Sequence, residues 1–101
     1  MNGKIKLYSK EKLLYEGPYS PEGFSGEGCE YYPDGRIMYE GNFSKGLRNG
    51  KGTLHFENGS YYVGCFKFGY ISGKGSVYDK DGNLLFSAVF FKDQINMDKT
   101  V

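Results

Sequence analysis

The sequence lacks tryptophan, and its 101 residues include only three prolines, two cysteines and one histidine. The two cysteines, Cys29 and Cys65, have no CxxC spacing and do not form the disulfide framework that small secreted domains use. No apolar run approaches the length of a membrane span, and residues 1–6 contain no apolar signal core. These absences predict a cytoplasmic protein with reduced thiols.

A strong charge of either sign is also missing, since 13 basic residues face 12 acidic ones. Proteins that bind nucleic acids or anionic membranes electrostatically carry clustered positive charge. The balance argues against a nucleic-acid partner and against a membrane partner. Peripheral phospholipid binding therefore stands only as a weaker alternative.

Glycine and aromatic residues are abundant, with 16 glycines, 10 tyrosines and 8 phenylalanines. That is too much glycine for a helical bundle and too many aromatic residues for a disordered chain. Both residue types recur in one register. An aromatic-x-Gly/Ala-x-aromatic unit begins at Tyr15, Tyr39, Tyr62 and Phe86, at intervals of 24, 23 and 24 residues. The first three starts are each followed by a Gly-x-Gly pair and then by a turn glycine. The pairs are Gly26/Gly28, Gly50/Gly52 and Gly73/Gly75, and the turn glycines are Gly35, Gly59 and Gly82.

The register predicts a single repeat domain over residues 1–93 with a polar tail at 94–101. Its parts are a half unit at 1–14, full units at 15–38, 39–61 and 62–85, and a half unit at 86–93. Each unit holds two short runs of strand composition bounded by turn residues, and no helical period is present. The prediction is an all-β fold, a single-layer antiparallel meander of stacked β-hairpins that forms a twisted, curved ribbon. Its eight strands are expected at 4–8, 13–19, 28–32, 36–43, 52–56, 60–66, 75–78 and 84–91.

Hairpin geometry predicts how the strands pair. A three-residue loop at Asn58-Gly59 and two-residue loops at Asp34-Gly35 and Asp81-Gly82 keep one face in register despite the unequal intervals. The expected pairs are Leu54 with Tyr62, Gly52 with Gly64, Glu30 with Tyr39, Gly28 with Gly41, Val77 with Phe86, and Gly75 with Ala88. Glycine thus lies opposite glycine or alanine, which leaves slots on the sheet face where no side chain stands. Aromatic rings lie flat in these slots and form the core. The rings concerned are Tyr15, Tyr19, Tyr39, Phe43, Tyr62, Phe66, Phe86 and Phe90, for which ligand stacking is the alternative role.

No residue pattern predicts catalysis. His55 projects from the face opposite Leu54 and has no nucleophile or acid in a recognisable motif. Cys29, Cys65 and His55 come from three strands without ligand spacing, and the Gly-x-Gly pairs lack the helix that phosphate binding needs. We therefore expect no catalytic, cofactor-binding or metal-binding residue, and no enzyme.

Three wide loops at 23–25, 46–49 and 69–72 are expected on one edge of the ribbon. Repeated apolar residues at loop tips favour contact with a partner. The alternative is that these tips fold back over the sheet edge. The candidate partner-binding residues are Phe24, Leu47, Arg48, Tyr70 and Ile71.

The segment from Tyr39-Glu40-Gly41-Asn42-Phe43 to Asn58-Gly59 resembles the MORN repeat, and residues 31–43 resemble the bacterial variant found in small antitoxin-type proteins. The resemblance extends over residues 14–93, although Ala88 replaces the fourth glycine. It implies a non-enzymatic protein–protein interaction module, and the residues favour binding of an unidentified protein through the sheet face and the wide-loop edge. It further implies a small bacterial or viral inhibitor or antitoxin. The alternative is a self-associating structural element, a homodimer formed through strand 84–91, which is apolar on both faces.

Overall fold

The computed structural model describes residues 3–20 and 23–95, with side chains at 5–18 and 25–93, and these residues form one antiparallel sheet. The sheet order is β1-β2-β4-β5-β6-β7-β8-β9-β10, with the short β3 paired to β2. Successive strands are neighbours, so the predicted all-β, single-layer meander of hairpins is confirmed. The strands are β1 (Gly3–Ser9), β2 (Lys12–Ser20), β3 (Gly23–Phe24), β4 (Gly26–Tyr31), β5 (Ile37–Ser44), β6 (Leu47–His55), β7 (Tyr61–Lys67), β8 (Tyr70–Tyr78), β9 (Leu84–Phe91) and β10 (Gln94–Ile95).

Three turns on one side of the sheet share a single geometry. Each has a three-residue loop ending in glycine, at 33–35, 57–59 and 80–82, and the glycine N–H donates to the carbonyl of the residue before the loop. The glycine φ angles are 94°, 95° and 88°, a region that side chains disfavour. The two-residue loops expected at Asp34-Gly35 and Asp81-Gly82 are therefore wrong.

The extra residue of the 24-residue units is absorbed by a bulge instead. Tyr31 pairs with Ile37 and Glu30 pairs with Tyr39, which leaves Met38 unpaired. Leu85 is left out in the same way before Phe86. Because the bulge restores the register, all six expected pairs form as predicted.

The wide loops expected at 46–49 and 69–72 on the opposite side are absent, which corrects the sequence-based prediction, and Gly23 and Phe24 of the third form β3. Two-residue turns at Lys45-Gly46 and Phe68-Gly69 lead directly into β6 and β8. Between the pairs Phe43–Arg48 and Gly41–Gly52, three residues of β6 lie opposite one residue of β5. Gly50, the first glycine of the Gly-x-Gly pair, makes this three-residue bulge possible with a φ of 90°. The residues taken for loop are therefore strand residues.

The core forms where tyrosine rings lie over glycines of the next strand. Tyr39 is fully buried, and its hydroxyl donates to the Asn42 carbonyl at 2.8 Å. A Cβ atom on Gly52 would overlap the Tyr39 ring, and one on Gly41 would stand 2.5 Å from the Gly52 Cα. The slot is thus closed by ring on one side and backbone on the other. Tyr15 and Tyr62 repeat this arrangement, donating to the carbonyls of Pro18 and Cys65 at 2.7 and 3.0 Å.

Phenylalanines join the buried tyrosines into one continuous aromatic ladder. Consecutive rings meet edge to face, with centroids 4.9–5.3 Å apart and planes at 82–90°. The ladder runs Tyr15–Phe43–Tyr39–Phe66–Tyr62–Phe90. Six of the eight expected core rings belong to it. Phe86 is instead 42% exposed, and the Tyr19 side chain lies outside the described residues.

The pairing continues two residues past the expected domain end at residue 93. Gln94 and Ile95 form β10 against Phe91 and Phe90. Ile95 therefore has the strand position that Arg48 and Ile71 have in the preceding units. The remainder of the predicted polar tail, residues 96–101, lies outside the described residues.

Candidate functional site

The residues first considered for chemistry lie on the face opposite the aromatic ladder, which we call the reverse face. His55 Nε2 is 3.4 Å from Glu40 Oε1, and its ring is 5.7 Å from that of Tyr61. Burial, and then the Glu40 charge, raise the pKa of the Cys29 thiol, which opposes nucleophilic activation. Among the residues with described side chains, no three His, Cys, Asp or Glu groups come together as a metal site. The described part of the chain also contains no helix long and apolar enough to span a membrane.

A cavity of 470 Å³ on the reverse face is lined by Glu16, Glu27, Glu40 and Cys29 above glycine backbone. Lys6 Nζ lies 3.9 Å from Glu16, and the Tyr31 hydroxyl donates to the same carboxylate at 3.4 Å. This part of the reverse face is therefore polar.

One group of exposed apolar side chains lies at the two-residue turns. Leu47, Phe68, Tyr70 and Phe91 are 46%, 67%, 44% and 61% exposed, and we call this set the turn edge. Leu47 and Tyr70 are two of the expected partner-binding residues. Phe68 and Phe91 are not among the expected partner-binding residues, because Phe68 precedes the loop expected at 69–72 and Phe91 ends the strand expected at 84–91.

Hydrogen bonds link each of these turns to the preceding unit. The Gly69 N–H donates to the Arg48 carbonyl at 3.0 Å, and the Asp93 N–H donates to the Ile71 carbonyl at 2.9 Å. The Asp93 carboxylate also accepts the Ile71 N–H at 2.7 Å. Since the turns are tied together, the turn edge is held as one continuous surface.

Phe68 has an unusual backbone conformation for an aromatic residue. Its φ is 52°, in the left-handed region that bulky side chains seldom adopt. Lysine has the same position in the equivalent turns, with φ values of 52° at Lys45 and 50° at Lys92. Phe68 is thus both strained and two-thirds exposed, a combination that folding alone does not favour.

Two other expected partner-binding residues belong to the aromatic face. Arg48 Nε lies 2.7 Å from Glu30 Oε1, and the guanidinium stacks 5.1 Å above the Tyr39 ring. Ile71 is only 8% exposed and packs in the core, so its expected exposure at a loop tip is wrong. The Phe24 backbone pairs with Tyr19 in β3, but its side chain lies outside the described part of the chain.

The aromatic face carries an apolar groove next to the turn edge. A cavity of 420 Å³ has Leu54, Phe56, Val77 and Phe86 among its lining residues. Ile71 and Gly69 also line it, so the groove reaches the Phe68-Gly69 turn. We call this cavity the aromatic groove.

We expect the protein to lose stability at alkaline pH because of its buried tyrosines. Burial raises the pKa of Tyr39 and of Tyr62 to about 12, above the ordinary value of 10.0. The contribution of these two tyrosines to the free energy of unfolding is fully present below pH 10. It is lost as the pH rises towards 12, because the hydroxyls of the unfolded chain release their protons at a lower pH than those of the folded chain. Denaturant unfolding followed at several pH values between 9 and 12 measures this loss. Tyr39→Phe should reduce the loss, and an equally steep loss in Tyr39→Phe would contradict the assignment.

The family comparison agrees with this architecture. The family model for the MORN repeat matches residues 22–35, 39–61 and 62–84. Together these matches span more than half of the chain. Repeats of this family generally serve as non-enzymatic binding modules for proteins or membranes. The chain belongs to the MORN repeat family.

Proposed function

We propose that this protein is a non-enzymatic module that binds a protein partner through the turn edge and the aromatic groove. The observation that carries the proposal is Phe68, an exposed aromatic residue held in the left-handed region at a turn. Strain of this kind is concentrated at functional positions. The proposal therefore centres the contact on Phe68.

The surrounding surface has the composition of a protein interface. Leu47, Tyr70 and Phe91 extend the exposed apolar area, and aromatic residues are enriched among residues that dominate binding energy. Lys67 Nζ lies 5.7 Å from the Phe68 ring centre, so a cation borders the aromatic residue. The hydrogen-bonded turns present these groups with little ordering cost on binding.

The resemblance to antitoxin-type proteins extends this proposal to a more specific role. A rigid surface of this kind inhibits a partner by covering it, without chemistry of its own. Acting as a small inhibitor or antitoxin in the cytoplasm is the finer form of the proposal, and the apolar turn edge is the feature that supports it.

Aspartate substitutions on the turn edge test the proposal. Phe68→Asp and Leu47→Asp should weaken capture of a bound protein from native lysate by about tenfold, because each places a charge in an apolar contact. Asn58→Asp and Lys80→Asp at the opposite turns are the matched controls. Undiminished capture by the turn-edge variants, or equal loss in the controls, would remove this surface.

A membrane partner is a separate outcome of the same study. The captured protein should bind in detergent-free buffer, and the chain should stay at the bottom of a flotation gradient with anionic vesicles. If the unchanged chain floats with the vesicles and Phe68→Asp does not, the partner is a lipid surface and not a protein.

Self-association through β9 is a second candidate function. Leu84 and Leu85 are 59% and 56% exposed, and Phe86 adds a 42% exposed ring on the aromatic face. Packing of these side chains against a second copy would form a homodimer. Multi-angle light scattering at several concentrations measures this dimer, and a monomer mass at every concentration would remove the candidate.

A further inference from the structure

Each of the three two-residue turns carries one lysine beside the apolar side chains of the turn edge. These are Lys45, Lys67 and Lys92, all exposed, and we call them the turn lysines. Lys67 Nζ lies 5.7 Å from the centre of the Phe68 ring, and Lys92 Nζ lies 5.5 Å from that of Phe91. Cations and aromatic rings therefore occur side by side at this edge.

The turn lysines have no acidic partner within the described side chains. The ion pairs formed there involve other residues. The turn segments 44–47, 67–70 and 91–94 contain one acidic residue, Asp93, and its Oδ1 accepts the Ile71 N–H at 2.7 Å. The turn edge therefore carries a net positive charge.

The turns on the other side of the sheet have a different charge pattern. Arg36 and Lys80 stand there among carboxylates, so that side carries both signs. The carboxylates in or beside the three-residue turns are Asp34, Glu57, Asp79 and Asp81. The net charge of +1 for the whole chain thus hides a cationic edge.

The repeat fixes the spacing of the turn lysines. Neighbouring strands are about 4.8 Å apart and equivalent turns are two strands apart, so the turns follow one another at about 10 Å. The hydrogen bonds from Gly69 to Arg48 and from Asp93 to Ile71 hold the turns in this arrangement. A Cβ atom on Gly69 would stand 3.7 Å from Leu47 Cδ2, so the leucine of one turn reaches the next. Cations and apolar groups therefore alternate along one ordered edge.

Such an edge is complementary to a polypeptide segment in which carboxylates alternate with apolar side chains. Apolar residues of the partner would cover the turn edge, and exposed ion pairs would determine its orientation and identity more than its affinity. Nucleic acids and anionic bilayers present dense negative charge, and proteins that bind them carry larger clusters of cations than three lysines.

We propose that the partner segment bound at the turn edge is acidic, with carboxylates placed among its apolar residues. This proposal rests on the protein-binding function above and specifies the chemistry of the partner.

Three fluorescent peptides test this chemistry. Each has about eight residues, long enough in extended form to span the three turns. Phenylalanine or leucine alternates with glutamate in the acidic probe, with serine in the neutral probe and with lysine in the basic probe. By anisotropy in low-salt buffer, the full chain should bind the acidic probe at least about tenfold more tightly than the neutral probe. Salt at about 0.5 M should reduce this difference, because ions screen exposed charges.

Charge reversal locates the effect. Lys45→Glu/Lys67→Glu/Lys92→Glu should bind the basic probe more tightly than the acidic probe, because the turn edge then carries negative charge. Far-UV circular dichroism verifies that the variant retains its sheet. If it does not, Lys67→Glu alone should reduce the preference for the acidic probe by about threefold.

Lys10→Glu/Lys12→Glu/Lys80→Glu is the matched control, since it makes the same change of net charge at the turns on the other side. It should keep the preference for the acidic probe. Reversal of the preference in this control, or equal affinity of the unchanged chain for the acidic and neutral probes, would overturn the acidic partner. Absence of binding by every probe would overturn it as well.

Phe68→Ser separates this result from the protein-binding function, because it removes an apolar contact without adding charge. If the acidic and neutral probes bind the unchanged chain equally and Phe68→Ser weakens both, only the acidic partner is lost and the apolar contact stands. Polyuridylate or phosphatidylglycerol vesicles provide the last comparison. Tighter binding of either one than of the acidic probe would replace the protein partner with a nucleic acid or a lipid surface.

Discussion

Gly41→Val is expected to destabilise the protein by about 3 kcal/mol or more, at the upper end for overpacking of a closed site. The new Cβ would stand 2.5 Å from the Gly52 Cα and 2.7 Å from the Lys51 carbonyl oxygen. Both contacts are backbone, so the strands themselves must separate. The melting temperature of a domain of this size should fall by more than about 10 °C.

The measurement is thermal unfolding followed by far-UV circular dichroism. Lys51→Val is the matched control, since it adds the same β-branched side chain at an exposed position of the neighbouring strand. The control should remain within about 0.5 kcal/mol of the unchanged chain. An unaltered melting temperature for Gly41→Val would contradict the slot as the basis of the core.

Phe66→Ala is expected to cost about 3–5 kcal/mol, the range for removing a buried phenylalanine. Phe66 is 3% exposed and meets Tyr39 and Tyr62 edge to face, at 4.9 and 5.3 Å. Its loss interrupts the ladder at its centre and leaves a cavity between two buried tyrosines. A single-layer sheet has no second layer that could move in to fill the space.

Denaturant titration measures this effect, with Phe91→Ala as the control. Phe91 is 61% exposed in the same kind of strand, so its removal should change stability by no more than about 0.5 kcal/mol. Similar losses for the two variants would show that Phe66 does not hold neighbouring units together.

The aromatic face could be predicted from the sequence because its determinants repeat. Leu54 with Tyr62 and Gly28 with Gly41 follow from alternation along strands once the turn glycines are aligned. Strand pairing with a period of two leaves one register that keeps the rings on a single face. The fold and most of its core therefore needed no tertiary information.

The turns could not be predicted with the same reliability, since two loops of different length satisfy the same register. A three-residue loop with a bulge at Met38 and a two-residue loop without one place Tyr39 identically. The choice depends on backbone hydrogen bonds that composition does not reveal. The turn edge was hidden for a different reason, since Phe68 falls between the strand expected at 60–66 and the loop expected at 69–72.

The expected partner-binding residues lie on two different faces of the sheet, and the reason is again the strand boundaries. Alternation along β6 and β8 sends Leu47 and Tyr70 outward and their neighbours Arg48 and Ile71 onto the aromatic face. A loop assignment removes alternation, so all four were treated alike. The sequence held the necessary signal, but the strand boundaries hid it.

The ring-over-glycine slots stabilise single units, and the aromatic ladder also joins one unit to the next. Tyr39 lies over Gly52 within one unit, whereas Phe66 joins that unit to the next through its contact with Tyr39. Linear repeat proteins are described by an intrinsic free energy for each unit and a coupling free energy between neighbours. Here the ring-over-glycine contacts contribute to the first quantity, and the contacts of Phe43 with Tyr15 and of Phe66 with Tyr39 contribute to the second. The cooperativity of unfolding can therefore be adjusted through Phe43 and Phe66 without redesigning any single hairpin.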